Sequence, residues 1–285
     1  MHGRSRETEM RATNHRISTC FGVALLAAVV SLGPVGIARV ASAQEEPPHW
    51  DYEERGPATW GKLSPAYVAC AEGHSQSPID ITNAEVSTGP AVRASYKPAS
   101  LRIVHNLHSA DVVNTGHSIQ VNFPQGDSLT IGDTTYSLVQ FHFHGPSEHT
   151  VNGKSFPMEM HLVHVSADKK LAVIGVLIKQ GKANKAFDPI WANLPNKRGV
   201  EAHLEDVTID VELLMPRNRS AYRYEGSLTT PPCSEGVKWI VLKEPVQMSE
   251  AQIKGFRSIL WKNNRPVQPL NGRRLIVENV KTGGK

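Results

Sequence analysis

Gln140-Phe-His-Phe-His144 sets two imidazoles one residue apart in a run of strand-forming residues. In an extended strand successive side chains alternate, so Gln140, His142 and His144 share one face while Val139, Phe141 and Phe143 share the other. A second run, Glu159-Met-His-Leu-Val163, puts Glu159, His161 and Val163 on a common face. The stretch between them, Gly145 to Met158, contains Gly153 and Pro157 and is long enough for an antiparallel return that brings His161 opposite the first pair. Three neutral imidazoles converging from rigid strands, with no fourth protein ligand, make an open tetrahedral site for one Zn²⁺ per chain. Water in the fourth position loses a proton near neutral pH and becomes a nucleophile. Gln140 and Glu159 stand two residues from His142 and His161 on the same faces, where they can accept from the second nitrogen of each ring. His149 and His164 read as structural, and His164 faces away from His161 by strand parity.

Other readings share part of this pattern. A single histidine on a strand is more often a satisfied core or surface group. His142-x-His144-x-x-x-Glu148-x-x-x-x-Gly153 approaches the cupin pattern, in which Glu148 would join His142 and His144 as a metal ligand in a small β-barrel oxygenase or binding module. Tyr136 stands where that pattern would begin with glycine. A metal carrier without catalysis is a third reading.

The elements that must hold these residues are mostly strands. Short β-type runs separated by turn signals cover Leu101 to Val104, Ser118 to Phe123, Ser128 to Ile131, Thr135 to Phe143, Glu159 to Val165, Leu171 to Ile178, Val207 to Leu213 and Val237 to Leu242. Leu171 to Ile178 is nearly all apolar, as a strand buried on both faces requires. Two helices are expected: Phe187, Ile190, Trp191 and Leu194 have helical spacing, and Ser249 with Gln252 forms a capping box ahead of Ile253, Phe256 and Leu260. Residues 44 to 75 form an irregular N-terminal wrap, and one domain over residues 44 to 285 is expected, since no repeat, linker or second composition regime follows.

The 285 residues are 40% hydrophobic and 20% charged, which excludes disorder, collagen and coiled coil. Of the formal +4, most lies in residues 1 to 43, where Arg4, Arg6, Arg11, Arg16 and Arg39 face only Glu7 and Glu9. The remainder holds 26 basic and 25 acidic residues (31 less five, 27 less two), too balanced to bind nucleic acid or anionic membrane. Residues 1 to 16 are polar and Arg-bearing, residues 20 to 37 almost wholly apolar, and Ala41-Ser42-Ala43 supplies a cleavage site: a signal peptide over residues 1 to 43 is expected, and a periplasmic or secreted protein with it. The alternative, an uncleaved anchor, is interrupted by Gly33-Pro34. Cys20 leaves with this segment. Cys70 and Cys233 then remain in an oxidising compartment, where two thiols usually pair; two separate buried thiols are the alternative.

Four motifs resemble the α-class carbonic anhydrases: Gln140-Phe-His-Phe-His144, Ser147-Glu-His-Thr150, Glu159-Met-His-Leu-Val-His164 and Gly226-Ser-Leu-Thr-Thr-Pro-Pro232. They stand in family order at near-family spacing. His49-Trp50, Gln76-Ser-Pro-Ile-Asp-Ile81, Asn114-Thr-Gly-His117, Lys238-Trp-Ile-Val-Leu-Lys-Glu-Pro245 and Arg265-Pro266 add to the likeness, which spans residues 47 to 280.

The resemblance implies a mainly β single domain, a ten-stranded, largely antiparallel mixed sheet with short peripheral helices and zinc at the base of a conical cleft. It implies reversible CO₂ hydration to bicarbonate and a proton, with His142, His144 and His161 as ligands. Thr229 would accept a hydrogen bond from zinc-bound hydroxide and pass its own proton to Glu148. The value of about 7 for the pKa of zinc-bound water is that measured in carbonic anhydrase itself and is not deduced from this sequence. Val163, Val173, Leu228 and Trp239 match the apolar CO₂ pocket, and Thr230 lines the same cleft. His117 matches the proton shuttle, with an ordinary pKa near 6.5, and Tyr52, Asn114 and Gln120 match the positions that order intervening waters. Cys70 and Cys233 match the disulfide of exported members. Sulfonamides and anions would occupy the open zinc position, while association into a homodimer stays open. The passage from His144 straight into Gly145-Pro146-Ser147-Glu148 is shorter than in animal members and lacks their Trp.

Overall fold

The computed structural model describes residues 48–86, 92–95, 99–101, 112–123, 127–202, 207–279 and 281–282. The expected signal peptide, residues 1 to 43, and residues 102 to 104 of the first expected strand lie outside them. The residues that build the site form ten strands: β1 (Glu85–Val86), β2 (Val112–Asn114), β3 (Ile119–Asn122), β4 (Thr134–His144), β5 (Met158–Ser166), β6 (Leu171–Gln180), β7 (Glu201–Ala202), β8 (Ser220–Ser227), β9 (Glu235–Met248) and β10 (Ile276–Asn279). They follow one another across a mixed sheet in the order β7-β2-β3-β4-β5-β6-β9-β8-β10-β1. Val92–Ser95, Ser128–Ile131 and Lys281–Thr282 branch from this path. Adjacent pairs are antiparallel except β6 with β9 and β10 with β1.

The central strands separate two apolar layers. From β4, β5, β6 and β9, Phe141, Phe143, Leu162, Ile174, Val176 and Ile240 enter one layer, together with Phe187, Ile190, Ile253 and Phe256 from outside the sheet. From the other face, Val173, Leu177, Trp239 and Val241 pack with Ile79, Ile81 and Tyr224. The apolar run Leu171 to Ile178 is thus buried on both sides, as its composition requires. Each fully buried large side chain contributes about 2 to 3 kcal/mol, which makes this double layer a stiff floor for a site.

Three expectations need correction. Val139 does not share a face with Phe141 and Phe143: it is exposed, because β4 bulges there, Val163 pairing with Gln140 and the next residue, His164, with Leu138. One extra residue shifts the alternation, so Tyr136 and Leu138 before the bulge enter the same apolar layer as Phe141 and Phe143 after it. The expected strand Val207 to Leu213 ends at Ile209, where the Asp210 side chain accepts from Glu212 N and starts a 3₁₀ turn over Val211–Leu214. The first expected helix is a 3₁₀ turn, Lys185–Phe187, running into a short α-turn at Asp188–Trp191. The second is confirmed, Glu250–Arg257, with the Ser249–Gln252 capping box made in both directions.

The N-terminal wrap carries Trp50 and Tyr52 against Trp60, Tyr67 and the disulfide Cys70–Cys233. Arg265, fully buried, ties this layer to the rest: its guanidinium donates to Gln76 Oε1, Ser77 O and Cys70 O, each at 2.8 Å. Among the described residues, no helix is long and apolar enough to cross a membrane.

Candidate metal centre and its cleft

Register brings the three histidines together. His161 on β5 lies directly opposite His142 on β4, and Glu159 opposite His144. Each ring has one nitrogen spoken for. His142 Nδ1 donates to Gln140 Oε1 at 2.8 Å, His144 Nδ1 to the Asn263 carbonyl at 2.6 Å, and His161 Nε2 to Glu159 Oε1 at 3.0 Å. The nitrogens left over are therefore Nε2 of His142, Nε2 of His144 and Nδ1 of His161. The ligand atoms of this group lie within 4.8 Å of one another. His144 Nε2 is buried with no hydrogen-bond partner, a costly condition that a bound cation relieves. Burial lowers all three imidazoles, to about 4 for His144, and the His144 and His161 rings push His142 down further. Neutral rings with free lone pairs are the form in which histidine binds metal.

The surrounding polar groups fix this geometry. Burial pushes the Glu159 carboxyl up, but His149 and His161 outweigh it and hold it well below the usual carboxylate range. Its Oε2 accepts from Glu148 N at 2.9 Å and His149 N at 2.8 Å, and its Oε1 also takes His149 Nδ1 at 2.7 Å. His149 Nε2 in turn meets Tyr224 Oη at 2.7 Å, and that hydroxyl donates to Ser77 Oγ at 2.8 Å. His149, Glu159 and His161 also satisfy the spacing of a metal group; their atoms are consumed by these hydrogen bonds. Room for the Glu159 carboxylate comes from Gly175, opposite His161 on β6, where a Cβ would stand 3.0 Å from Oε1.

Glu148 is not a member of the metal group, although its Oε2 comes within 3.9 Å of His161 Nδ1 and its Oε1 within 3.6 Å of His144 Nδ1. Its Oε1 accepts from Arg265 N at 2.8 Å, while Oε2 is buried without a hydrogen-bond partner. Burial pushes its carboxyl up to about 7 against the pull of His161, the Arg265 N–H and the Thr229 hydroxyl. His161, not Glu148, completes the group with His142 and His144, so the cupin reading is not favoured.

A cavity of about 210 Å³ opens over His142 and His144 and is lined also by Tyr52, His117, Gln120, Gln140 and Thr230. Gln120 sits opposite His142 across β3 and β4. Tyr52 Oη is buried with no partner. Val163, Val173, Leu228 and Trp239 gather in the apolar layer on the site face, the Trp239 ring 4.8 Å from that of His161 and its Nε1 donating to Ser227 O. Thr229 lies in a tight loop closed by Cys233 N donating to Thr230 O at 2.8 Å and Leu228 N to Ser234 O at 2.9 Å, with Cys70 bridged to its end.

Two residues sit differently from expectation. The Asn114 side chain does not line the cavity: it is buried in a turn, Oδ1 accepting from Gly116 N and Nδ2 donating to Pro195 O. Its neighbour Thr115 lines the cavity instead, with its hydroxyl bonded to Ser118 O, His117 N and Ser118 N. His117 does line the cavity, but its ring stacks on Trp50 at 3.8 Å and 14°. Half-burial, then Arg198 and His49, lower it to about 4 instead of the ordinary 6.5.

Sequence reading missed Asn263. Its carbonyl orients His144, and its side chain accepts from Gly145 N and donates to His117 O and Phe143 O. The only sequence signal is its place two residues before Arg265-Pro266.

Comparison with known proteins agrees with the geometry. The eukaryotic-type carbonic anhydrase family profile matches residues 55–279. A carbonic anhydrase of Pectobacterium carotovorum is 43% identical over 230 residues, 80% of this chain and 90% of that protein. One of Neisseria gonorrhoeae is 42% identical over 239 residues, 83% of this chain and 90% of that protein. The solved structure of the α-carbonic anhydrase of Thermovibrio ammonificans with the inhibitor sulfanilamide superposes with a TM-score of 0.75 at 45% identity, covering 80% of this chain and 98% of that one. With the family profile matched over most of the chain and relatives above 40% identity covered over nine-tenths or more of their length, the chain belongs to the α-class carbonic anhydrase family.

Proposed function

We propose that this protein is a zinc enzyme that hydrates CO₂ reversibly to bicarbonate and a proton. The observation that carries the reading is the cage itself: three neutral imidazoles, His144 and His161 buried and His142 half-buried, each with one nitrogen fixed and one free, beneath an open cavity. His142 Nε2, His144 Nε2 and His161 Nδ1 would hold zinc, and no carboxylate oxygen joins them in the group. Zinc in such a site acts as a Lewis acid and lowers the pKa of water to about 7, the figure established for carbonic anhydrases as a class.

The chain's own groups do the rest. Thr229 Oγ accepts a hydrogen bond from the attacking oxygen and donates its proton to Glu148 Oε2, the buried carboxylate oxygen that has no other hydrogen bond. That chain fixes the direction of the oxygen's lone pair and so raises the rate by orientation. It needs Glu148 ionised, and a dication nearby favours that form. Val163, Val173, Leu228 and Trp239 supply an apolar wall for CO₂, which has no net dipole and needs desolvation more than hydrogen bonds. His117 takes the product proton out of the cleft through water held by Tyr52 and Gln120. Residues 1 to 43 serve as the export signal, residues 44 to 285 as the catalytic domain, and the protein works in the periplasm or outside the cell. The Cys70–Cys233 bridge suits that compartment.

The deciding experiment measures zinc content and the pH drop on CO₂ addition. Zinc near one per chain, and activity abolished by a chelator, by a sulfonamide and by His142→Ala, are expected. Zinc-free, active protein ends this reading.

A further inference from the structure

We propose that Arg198, on the loop from Pro195 to Val200, is a positioning residue that controls how readily His117 takes up a proton, and thereby limits proton export at neutral pH. The proposal rests on the reading of His117 as the shuttle.

The loop is fastened to the turn that presents His117. Gly199 N donates to Asn114 O at 2.7 Å, Asn114 N to Val200 O at 3.2 Å, and Asn114 Nδ2 to Pro195 O at 3.0 Å. These bonds lay Arg198 across Gly116, the residue next to His117. A Cβ on Gly116 would lie 2.6 Å from Arg198 Cδ and 2.7 Å from its Nε, and Gly116 itself has φ +82. Glycine is required there twice over, by the left-handed backbone and by the arginine stem.

Among the described residues, the charges that shift the His117 ring come from two elements, while Tyr52, His142 and His144 line the same cavity. The N-terminal wrap supplies Asp51, which favours the imidazolium, and His49, 5.9 Å away ring to ring, which opposes it. The 195–200 loop supplies Arg198, the strongest opposing charge after burial itself. Asn263, which donates to the His117 carbonyl, is neutral. A proton acceptor works best when its affinity matches that of the donor, and water on zinc releases its proton near 7. With the ring at about 4, acceptance runs uphill. Arg198 is exposed to solvent, so its influence is long-range and sensitive to salt.

The test uses the full zinc-loaded protein. The His117 ring is titrated by NMR in wild type and in Arg198→Gln, Arg198→Glu and Arg198→Lys, and kcat in weak buffer is measured beside kcat/KM. Arg198→Gln should strengthen proton binding at His117 by about threefold at low salt, a typical size for an exposed pair. Arg198→Glu should do more, Arg198→Lys should restore the wild-type midpoint, and ~1 M salt should erase the differences. In weak buffer kcat should rise with the midpoint while kcat/KM stays constant. An unchanged His117 midpoint in the Gln and Glu variants overturns the role of Arg198. If the midpoint moves but kcat does not, and His117→Ala is equally silent, the shuttle reading falls and Arg198 keeps only its electrostatic contact.

Discussion

His161 Nε2 lies 3.0 Å from Glu159 Oε1, and this contact leaves Nδ1 as the ring's free nitrogen, whereas His142 and His144 are left with Nε2. Two strands approaching from opposite directions thus offer rings of opposite hand to one point. The carboxylate that selects the third ring is itself held by two backbone N–H groups and by His149, so the choice of nitrogen is built into the sheet.

Glu159→Gln should weaken zinc binding by about 10- to 100-fold, because it removes the charge that orients His161 and forces an amide N–H into a site made wholly of donors. Competition with a chromogenic chelator measures this. Gly175→Ala approaches the same carboxylate from the neighbouring strand, where the new Cβ would stand 3.0 Å from Oε1. It should lower zinc affinity in the same direction and by less. Equal zinc affinity in Glu159→Gln and wild type refutes the orienting role.

Asn263→Ala deprives Gly145 N and His117 O of their side-chain partner and removes one of the two donors to Phe143 O, which keeps Ser118 Oγ. At about 1 to 3 kcal/mol for each group left unsatisfied, with some relaxation, the loss should be about 3 kcal/mol in urea unfolding. The variant also frees the carbonyl that receives His144 Nδ1, so zinc should dissociate faster. Asn263→Asp, which keeps the acceptor for Gly145 N but loses both donated bonds, should fall between Ala and wild type.

The ligand cage was legible because it follows from period-two alternation and one antiparallel return, and neither depends on distant sequence. Gln140 and Glu159 were legible for the same reason. Asn263 was not, since a main-chain carbonyl is common to every residue and its position depends on how a remote segment packs beneath β4. The bulge at Val139 was equally silent: it adds no turn residue and no glycine, and only the pairing of Val163 with Gln140 and His164 with Leu138 reveals it. Asn114 was matched to a cavity position where Thr115 stands, because a shift of one residue is within the error of matching a turn by spacing. The His117 environment is set by Trp50 and Arg198, both remote in sequence, so an ordinary histidine was the natural expectation and an incorrect one.

Reducing the Cys70–Cys233 bridge should lower the melting temperature. The bond joins residues 163 apart, and the chain-entropy account puts such a cross-link at about 5 kcal/mol as an upper figure. The bridge fastens the end of the Leu228–Ser234 loop to the N-terminal wrap, so kcat should fall along with stability, through Thr229. Paired melting and activity measurements with and without reductant, repeated on the Cys70→Ser, Cys233→Ser double variant, check both. Reductant that changes neither property in the wild type while the double variant melts normally removes the bridge from any stabilising role.

Acid should unfold the protein partly through His164. Its ring is fully buried, donates from Nδ1 to Leu162 O at 3.0 Å, and is lowered by burial to about 4. In the unfolded chain it titrates near 6.5. Between these values the unfolded state binds the extra proton, so stability is fully present above pH 6.5 and falls as pH drops toward 4, by about 1.4 kcal/mol per pH unit for one such group. Below 4 the slope from this residue vanishes. His164→Asn keeps a donor for the Leu162 carbonyl but cannot titrate. It should be less stable than wild type at pH 7.5 because it leaves space in the apolar layer, and the gap should narrow as pH falls from 6.5 to 4. Comparing the two proteins at each pH cancels the acid release of zinc common to both. A gap that stays constant over that range would show that His164 does not contribute to the acid limb.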